Sequence, residues 1–465
     1  MENIPFPKRK LPLIGHALMC LVGVFSLIFL GLFVYGINLH IAIFLAVIWA
    51  CGQARWIGYS LDEIRLMMND GIAKALPAIY IFLLIGTVIA SFMQSGTIAS
   101  LLYHGIDWLS PSWFLAAGLI LCSFMSVATG TSWGTVGTIG VVLVGIGEAM
   151  TIPLPLVVGM IVSGATFGDK LSPISDTTNL AAMSAGTSLY RHIGAMLYTT
   201  VPTFIIVLVI FVVWGMQYES HALPADQINT IRNALLSAYR LDFWITILPL
   251  LLMFTLSIKR YSAEMSMLCG VITAVLIAVS YQEKNPIDVM NALWLNSPGQ
   301  TGIESIDALL GRGGIYSMAW TLLLSILALA LGGVLHHAGF LEVLVKDVIK
   351  HIQRAGTLVA TTILSGLLGN MAMGEAYISI ILNCQLFKPV YQQQKIDRAV
   401  LSRSIEEGST LTAALIPWTT TGTFYAATLG VSPLDYGAYA FLNLLNPLIS
   451  IIMVAFGIGL LQYKK

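Results

Sequence analysis

Long apolar runs alternate with short polar interruptions along this chain, and that pattern predicts its elements. Residues 18–34, 81–93, 204–214, 267–279 and 322–335 are nearly free of charge. With their flanks, several reach the roughly 20 apolar residues that a membrane-crossing helix needs. A strand of an outer-membrane barrel would alternate apolar and polar positions, which these runs do not do. The pattern therefore predicts an all-α polytopic membrane protein.

Basic residues orient the spans, because positive charge is retained on the cytoplasmic side. Lys8, Arg9 and Lys10 precede a first helix over 13–34, which reads as a retained span and not a cleaved signal. A second helix over about 40–58 returns the chain to Arg55, Arg65 and Lys74, and a third over 76–96 crosses outward. The stretch 111–150 has no basic residue at either end and a Gly/Ser/Thr-rich middle, so it reads as a re-entrant hairpin with its tip at 129–135. A broken helix over 153–190 and a further span complete a first half, 1–215, and 216–240 forms a polar external loop. The second half, 241–465, contains a hairpin over 356–388 and a broken helix over 401–430. Lys346, Lys350 and Arg354 flank this hairpin on one side, and Lys388, Lys395, Arg398 and Arg403 on the other, so it enters from the cytoplasm. Ten crossings and two hairpins result, in a bacterial inner membrane with both termini on the cytoplasmic side.

The halves repeat. Gly96 matches Gly339 at an offset of 243, Gly134 matches Gly374 at 240, and Thr177 matches Thr419 at 242. The first hairpin's flanks carry no basic residue and the second's carry several, so the halves are inserted in opposite senses, with five crossings per half. Inverted repeats whose interrupted helices meet near the midplane are a recurring plan of secondary transporters.

Composition narrows this picture. The chain is 57% hydrophobic and 10% charged, where a soluble domain carries about a quarter charged residues. Net charge is zero and the basic residues are scattered, which excludes nucleic acid as a partner. The five cysteines lie far apart, mostly inside apolar runs, as small buried hydrophobes and not as a redox or metal set. His336 and His337 read as a helix end in preference to a metal or pH-sensing pair. No cofactor is implied.

Charge stands out against this background in "GATFGDKLSPISDTTNL", residues 164–180. Pro173 lacks an N–H and disfavours helix at Ser172, so the segment should unwind over about 171–175. Hydroxyls, freed carbonyls and carboxylates there suit a hard cation, with Na⁺ held through Asp176 and Ser175. An ionisable group inside the membrane costs on the order of 3 kcal/mol, which marks Asp169, Lys170 and Asp176 as functional candidates. Lys170 pairs either with Asp176 across the break or with a carboxylate of the other half. That half offers Glu375 just past the tip "GNMAMGEAY", and Glu406 and Glu407 before "GSTLTAALIPWTTTG", broken at Pro417. Glu375, at the start of a half-helix, would trade a proton for Na⁺. Glu406 and Glu407 lie toward the cytoplasmic end, where a solvated role competes evenly. Thr129, Thr131, Ser132 and Asn370 at the hairpin tips are further oxygen or amide ligands, although hydroxyl bonding between helices is their commoner use.

"SGATFGDKLSPISDTTNLAAMSAG" resembles the signature of the NhaC-type sodium/proton antiporters, and "SRSIEEGSTLTAALIPWTTTG" resembles that family's second broken helix. The resemblance runs from about Gly86 to Gly430. It implies an ion-transporter architecture of two inverted halves, often dimeric, and sodium-coupled antiport. Asp169, Ser175, Asp176, Thr177 and Thr178 would hold the site, with Thr419, Thr420 and Thr421 opposite. Glu375-Ala376 stands where the family pattern has Asp-Gln. Thr419 replaces an Asn after Pro417-Trp418, and Ala413-Ala414 replaces Ser-Pro. These departures bear on the exchanged solute. The expectation is Na⁺/H⁺ exchange by alternating access, with Asp176, Glu375, Asp169, Glu406 and Glu407 as proton-coupling candidates. The alternative is Na⁺-coupled transport or antiport of a small organic acid or amino acid, like malate or lactate. An ion channel lacks a repeated filter loop here, and a membrane enzyme lacks a zinc-spaced His motif or an activated nucleophile.

Overall fold

The computed structural model describes residues 11–461 except 75, 109, 174, 219–224, 260, 304–306, 308, 309, 351 and 353. Helices account for its regular structure, and no strand occurs among the described residues. Eight of these helices are long and apolar enough to cross a membrane, or ten if two bent pairs count as one span each. One pair, Ile79–Gln94 with Thr97–His104, is bent by 64°. Gly96 sits at that bend with φ +78°, a left-handed conformation that ends a right-handed helix. The predicted cytoplasmic termini rest on Lys8–Lys10 and Lys464–Lys465, which lie outside the described residues.

The two segments expected to be hairpins are each a pair of helices broken at one glycine. Pro111–Thr129 is followed by Ser132–Thr135, a π-helical turn Val136–Gly140 and Val141–Ala149. Ala355–Met373 is followed by Ala376–Gln393. Both predicted broken helices are interrupted as well, into Leu154–Leu171 and Asp176–Ala185, and into Arg398–Ala413 and Thr420–Leu429. At the first break Ser172 is extended (φ −81°, ψ 125°), as a residue before proline must be.

The two interrupted segments share cap conformations. Gly130 and Gly374 both cap the first arm of a hairpin in the left-handed region, an offset of 244. Ser175 and Thr419 both cap the second arm of a broken helix through their hydroxyls, also at 244. The pairs read from the sequence, Gly134 with Gly374 and Thr177 with Thr419, stand at offsets two to four residues shorter than these shared caps.

Two apolar cores form, and each broken helix spans both. One core joins the first hairpin, the helices around Phe82–Leu102 and Ile247–Ala274, and the first arm Leu154–Leu171. The other joins the three N-terminal helices, the second hairpin and the arm Arg398–Ala413. The remaining arms are exchanged: Ala181 and Ala185 pack in the second core, and Phe424, Tyr425 and Leu429 in the first. The breaks therefore lie between the cores, where the two interrupted helices cross. Close packing of the first arm on helix Pro111–Thr129 depends on small residues, and a Cβ added to Gly168 would meet the Ser123 carbonyl at 2.3 Å.

Candidate functional site

Lys170 ends the first arm, where the carbonyl end of a helix favours a cation. Its ammonium is 1% exposed and lies 3.1 Å from Asp169 Oδ2, 3.0 Å from Glu406 Oε1 and 3.0 Å from the Thr177 hydroxyl. Lys170 thus pairs with a carboxylate of the other half and with its own neighbour, not with Asp176. Glu406 is fully buried, as is Glu407, which overturns a solvated position for either. Thr177 and Thr178 donate to Glu406 Oε1 at 3.3 and 3.2 Å. His192 Nε2 stands 2.7 Å from the second Glu406 oxygen, and its Nδ1 is 2.5 Å from the Ser402 hydroxyl. Ser132, at the first hairpin tip, donates to Asp169 Oδ2 at 3.3 Å, while Asp169 Oδ1 is buried without a partner.

A second group forms at the other hairpin. Glu375 caps helix Ala376–Gln393, accepting from the Tyr377 amide at 3.3 Å and from the Thr420 hydroxyl at 2.7 Å. The Thr420 amide also donates to the Gly374 carbonyl at 2.9 Å, so the second tip is fastened to the second break. Asp176 opens the helix Asp176–Ala185 and is exposed, in contrast to the buried position implied by its apolar setting. The Tyr377 hydroxyl donates to its Oδ2 and links the two halves. Ser175 is buried, but its hydroxyl is occupied in capping Thr178 at 3.4 Å.

The other candidates have mostly helical roles. Thr131 caps the Gly134 amide, Thr419 caps Gly422, and Thr129 bonds back to Met125. Asn370 donates to the Ser409 carbonyl and to the Thr412 hydroxyl, and its carbonyl oxygen is buried without a partner. Thr421 is half-buried one residue past Thr420. His337 ends its helix 2.7 Å from Asp70 Oδ2.

Sequence reasoning missed three features. Arg403, counted as a cytoplasmic flank, is fully buried, with Nε 3.8 Å from Glu407 Oε1. Lys388, Lys395 and Arg398 alone remain as the basic flank. Glu407 accepts from Thr199 at 2.6 Å and from Asn446 at 3.3 Å. His192 and Tyr377 were not singled out. The spacing held a signal: Ser402 and Glu406, and Arg403 and Glu407, are four residues apart and share helix faces, as i and i+4 residues do.

These features define a polytopic helical protein in which two interrupted helices carry buried charges from distant parts of the chain to one crossing point. The chain belongs to the Na⁺/H⁺ antiporter family, whose family model matches residues 9–186 and 164–458. It is 35% identical to the Na(+)/H(+) antiporter NhaC of Alkalihalophilus pseudofirmus over 455 residues, 97% of each chain. Identity is also 35% to the malate-2H(+)/Na(+)-lactate antiporter of Bacillus subtilis, covering 93% of this chain and 92% of the relative. The arginine/ornithine antiporter ArcD of Halobacterium salinarum is 31% identical, covering 96% and 93%.

Proposed function

We propose that this protein exchanges Na⁺ for H⁺ across the bacterial inner membrane by alternating access, as two inverted five-crossing halves move about the crossed helices. One observation carries the reading. Asp169 and Glu406 contribute two negative charges to the buried cluster and Lys170 one positive charge, which leaves one negative charge when His192 is neutral. A buried, uncompensated charge is costly. Either Na⁺ or a proton neutralises it, and the two together overshoot, so occupancy by one excludes the other. That exclusion is the physical basis of antiport.

The oxygen-rich donor set suits a hard monovalent cation. Asp169 and Glu406 supply charge, and Ser132, Thr177 and Thr178 supply hydroxyls. Asp176 and Ser175, with Glu375, Thr131, Asn370 and Thr419–Thr421, surround the path into and out of this point, and Glu407 forms a separate pair with Arg403. Both termini are cytoplasmic and the working unit is a homodimer. The test is proton flux in proteoliposomes under an imposed pH gradient. Na⁺-dependent flux is expected in the native protein and absent in Asp169→Asn, and full flux in that variant sinks the assignment.

A second reading is favoured by the equal identity to a relative named for malate and lactate: Na⁺-coupled antiport of a small carboxylate or an amino acid. Uptake of labelled malate, lactate and arginine driven by a Na⁺ gradient separates the two.

A further inference from the structure

A cavity of about 550 Å³ opens between the turn joining the first two helices, the start of helix Ala319–His337 and the far end of the second broken helix. Asn38, Trp320, Thr321, Pro417, Ala427 and Ser432 are among its walls; no charged residue is among its described lining, and the Arg312 guanidinium stands beside Gly430 at its outer end. Pro417 is the proline of the second break, so the cavity reaches the interruption itself. By contrast, the cavity at the first hairpin tip, beside Thr131 and Ser266, measures about 20 Å³, room for about one water.

Inward from the large cavity, two hydroxyls are left over. Thr321 and Ser325 lie one turn apart on the same helix, both are 0% exposed, and neither hydroxyl has a hydrogen-bond partner. A helical Ser or Thr commonly returns its hydroxyl to the carbonyl one turn back, as Ser163, Thr166 and Thr362 do here. Unsatisfied buried hydroxyls need an explanation, and passing water or an ion is one. The next residue on this face is Ala328, whose methyl would stand 3.0 Å from a Cβ built on Gly374. Glu375 is the next residue after Gly374. The opposite wall makes a parallel approach, since Ala427 lines the cavity and Thr420, seven residues earlier on the same helix, donates to Glu375 at 2.7 Å. Seven residues of helix span about 10 Å.

We propose that this cavity and the Thr321–Ser325 track form the external entry route by which Na⁺, with accompanying water, reaches Glu375, and that the structure is a state open to that side. The proposal rests on the exchange reading and the membrane orientation given above. A largely apolar funnel with a few hydroxyl and amide groups admits a cation without trapping it, and the carboxylate of Glu375 is met at its end.

The test uses the full-length chain with its five cysteines replaced by serine, carrying Thr321→Cys, Ser325→Cys, Ala427→Cys or the surface control Leu323→Cys. A membrane-impermeant cationic methanethiosulfonate is added to right-side-out and to inside-out vesicles. External reagent is expected to abolish exchange in the first three variants and spare the control, and saturating Na⁺ should slow the reaction at Ser325→Cys about tenfold. Silence at Ser325→Cys to external reagent, or reaction there only from the cytoplasmic face, overturns the route. Should Ser325→Cys fail to fold, Ala427→Cys decides by the same pattern. Glu375→Gln separates the two readings. Full exchange in it removes the destination and overturns the proposal, whereas loss of exchange in Asp169→Asn tests antiport independently of the route.

Discussion

Replacing Glu406 by Gln tests the charge balance at the crossing point. The substitution keeps the shape and removes one negative charge, so the cluster sum rises from −1 to 0 and nothing remains for Na⁺ to neutralise. At an effective dielectric near 20, a unit charge about 4 Å away contributes about 4 kcal/mol. That is nearly three decades in affinity at about 1.4 kcal/mol per decade. Stability should fall too, because Lys170 loses its 3.0 Å carboxylate partner Glu406 and keeps Asp169 as its one charged partner beside the Thr177 hydroxyl. Breaking a buried pair from one side costs about 3–5 kcal/mol. Adding Lys170→Met to Glu406→Gln returns the sum to −1, with Asp169 left as the one buried charge, so the double variant should recover Na⁺ dependence and be stabilised by Na⁺. The assays are Na⁺-dependent thermal stabilisation in detergent and pH-gradient collapse in proteoliposomes. An unchanged Na⁺ midpoint in Glu406→Gln refutes the charge argument, as does a well-folded double variant that is still indifferent to Na⁺.

Groups outside that cluster give two further outcomes. Arg403→Met leaves Glu407 buried without its cation and should lower stability by about 3–5 kcal/mol, with Glu407→Gln on top restoring most of the loss; denaturation midpoints of the four combinations measure the coupling. Lys284, in the turn after helix Ala263–Ser280, sits 4.5 Å from the centre of the Tyr239 ring, and burial pulls its pKa down to about 8. The unfolded chain then binds more protons than the folded one between about pH 8 and the ordinary lysine value of 10.5, so this group makes stability rise with pH across that window. Lys284→Met should flatten the rise, as melting temperatures at pH 7.5, 9 and 10.5 will show.

The interruptions were legible in the chain because their causes are local. Pro173 and Pro417 withhold an N–H, Ser175 and Thr419 cap the second arms, and a left-handed glycine ends each first hairpin arm. Each depends on a few neighbouring residues, so a reading of 164–180 located the first break to within a residue. The apolar runs likewise announced the spans, since burial in lipid leaves composition little freedom.

Tertiary structure alone decided which charges meet. Lys170 and Glu406 are 236 residues apart, and either could have faced elsewhere until the helices crossed. The same crossing buried Arg403, which in sequence is one more basic residue after a hairpin, and left Asp176 exposed beside Tyr377. Periodicity reports that a helix has a polar face but not which partner that face will find. An ion pair is made through space, and its energy depends on distance and on the dielectric that packing creates. The breaks belong to the sequence, and the site between them belongs to the fold.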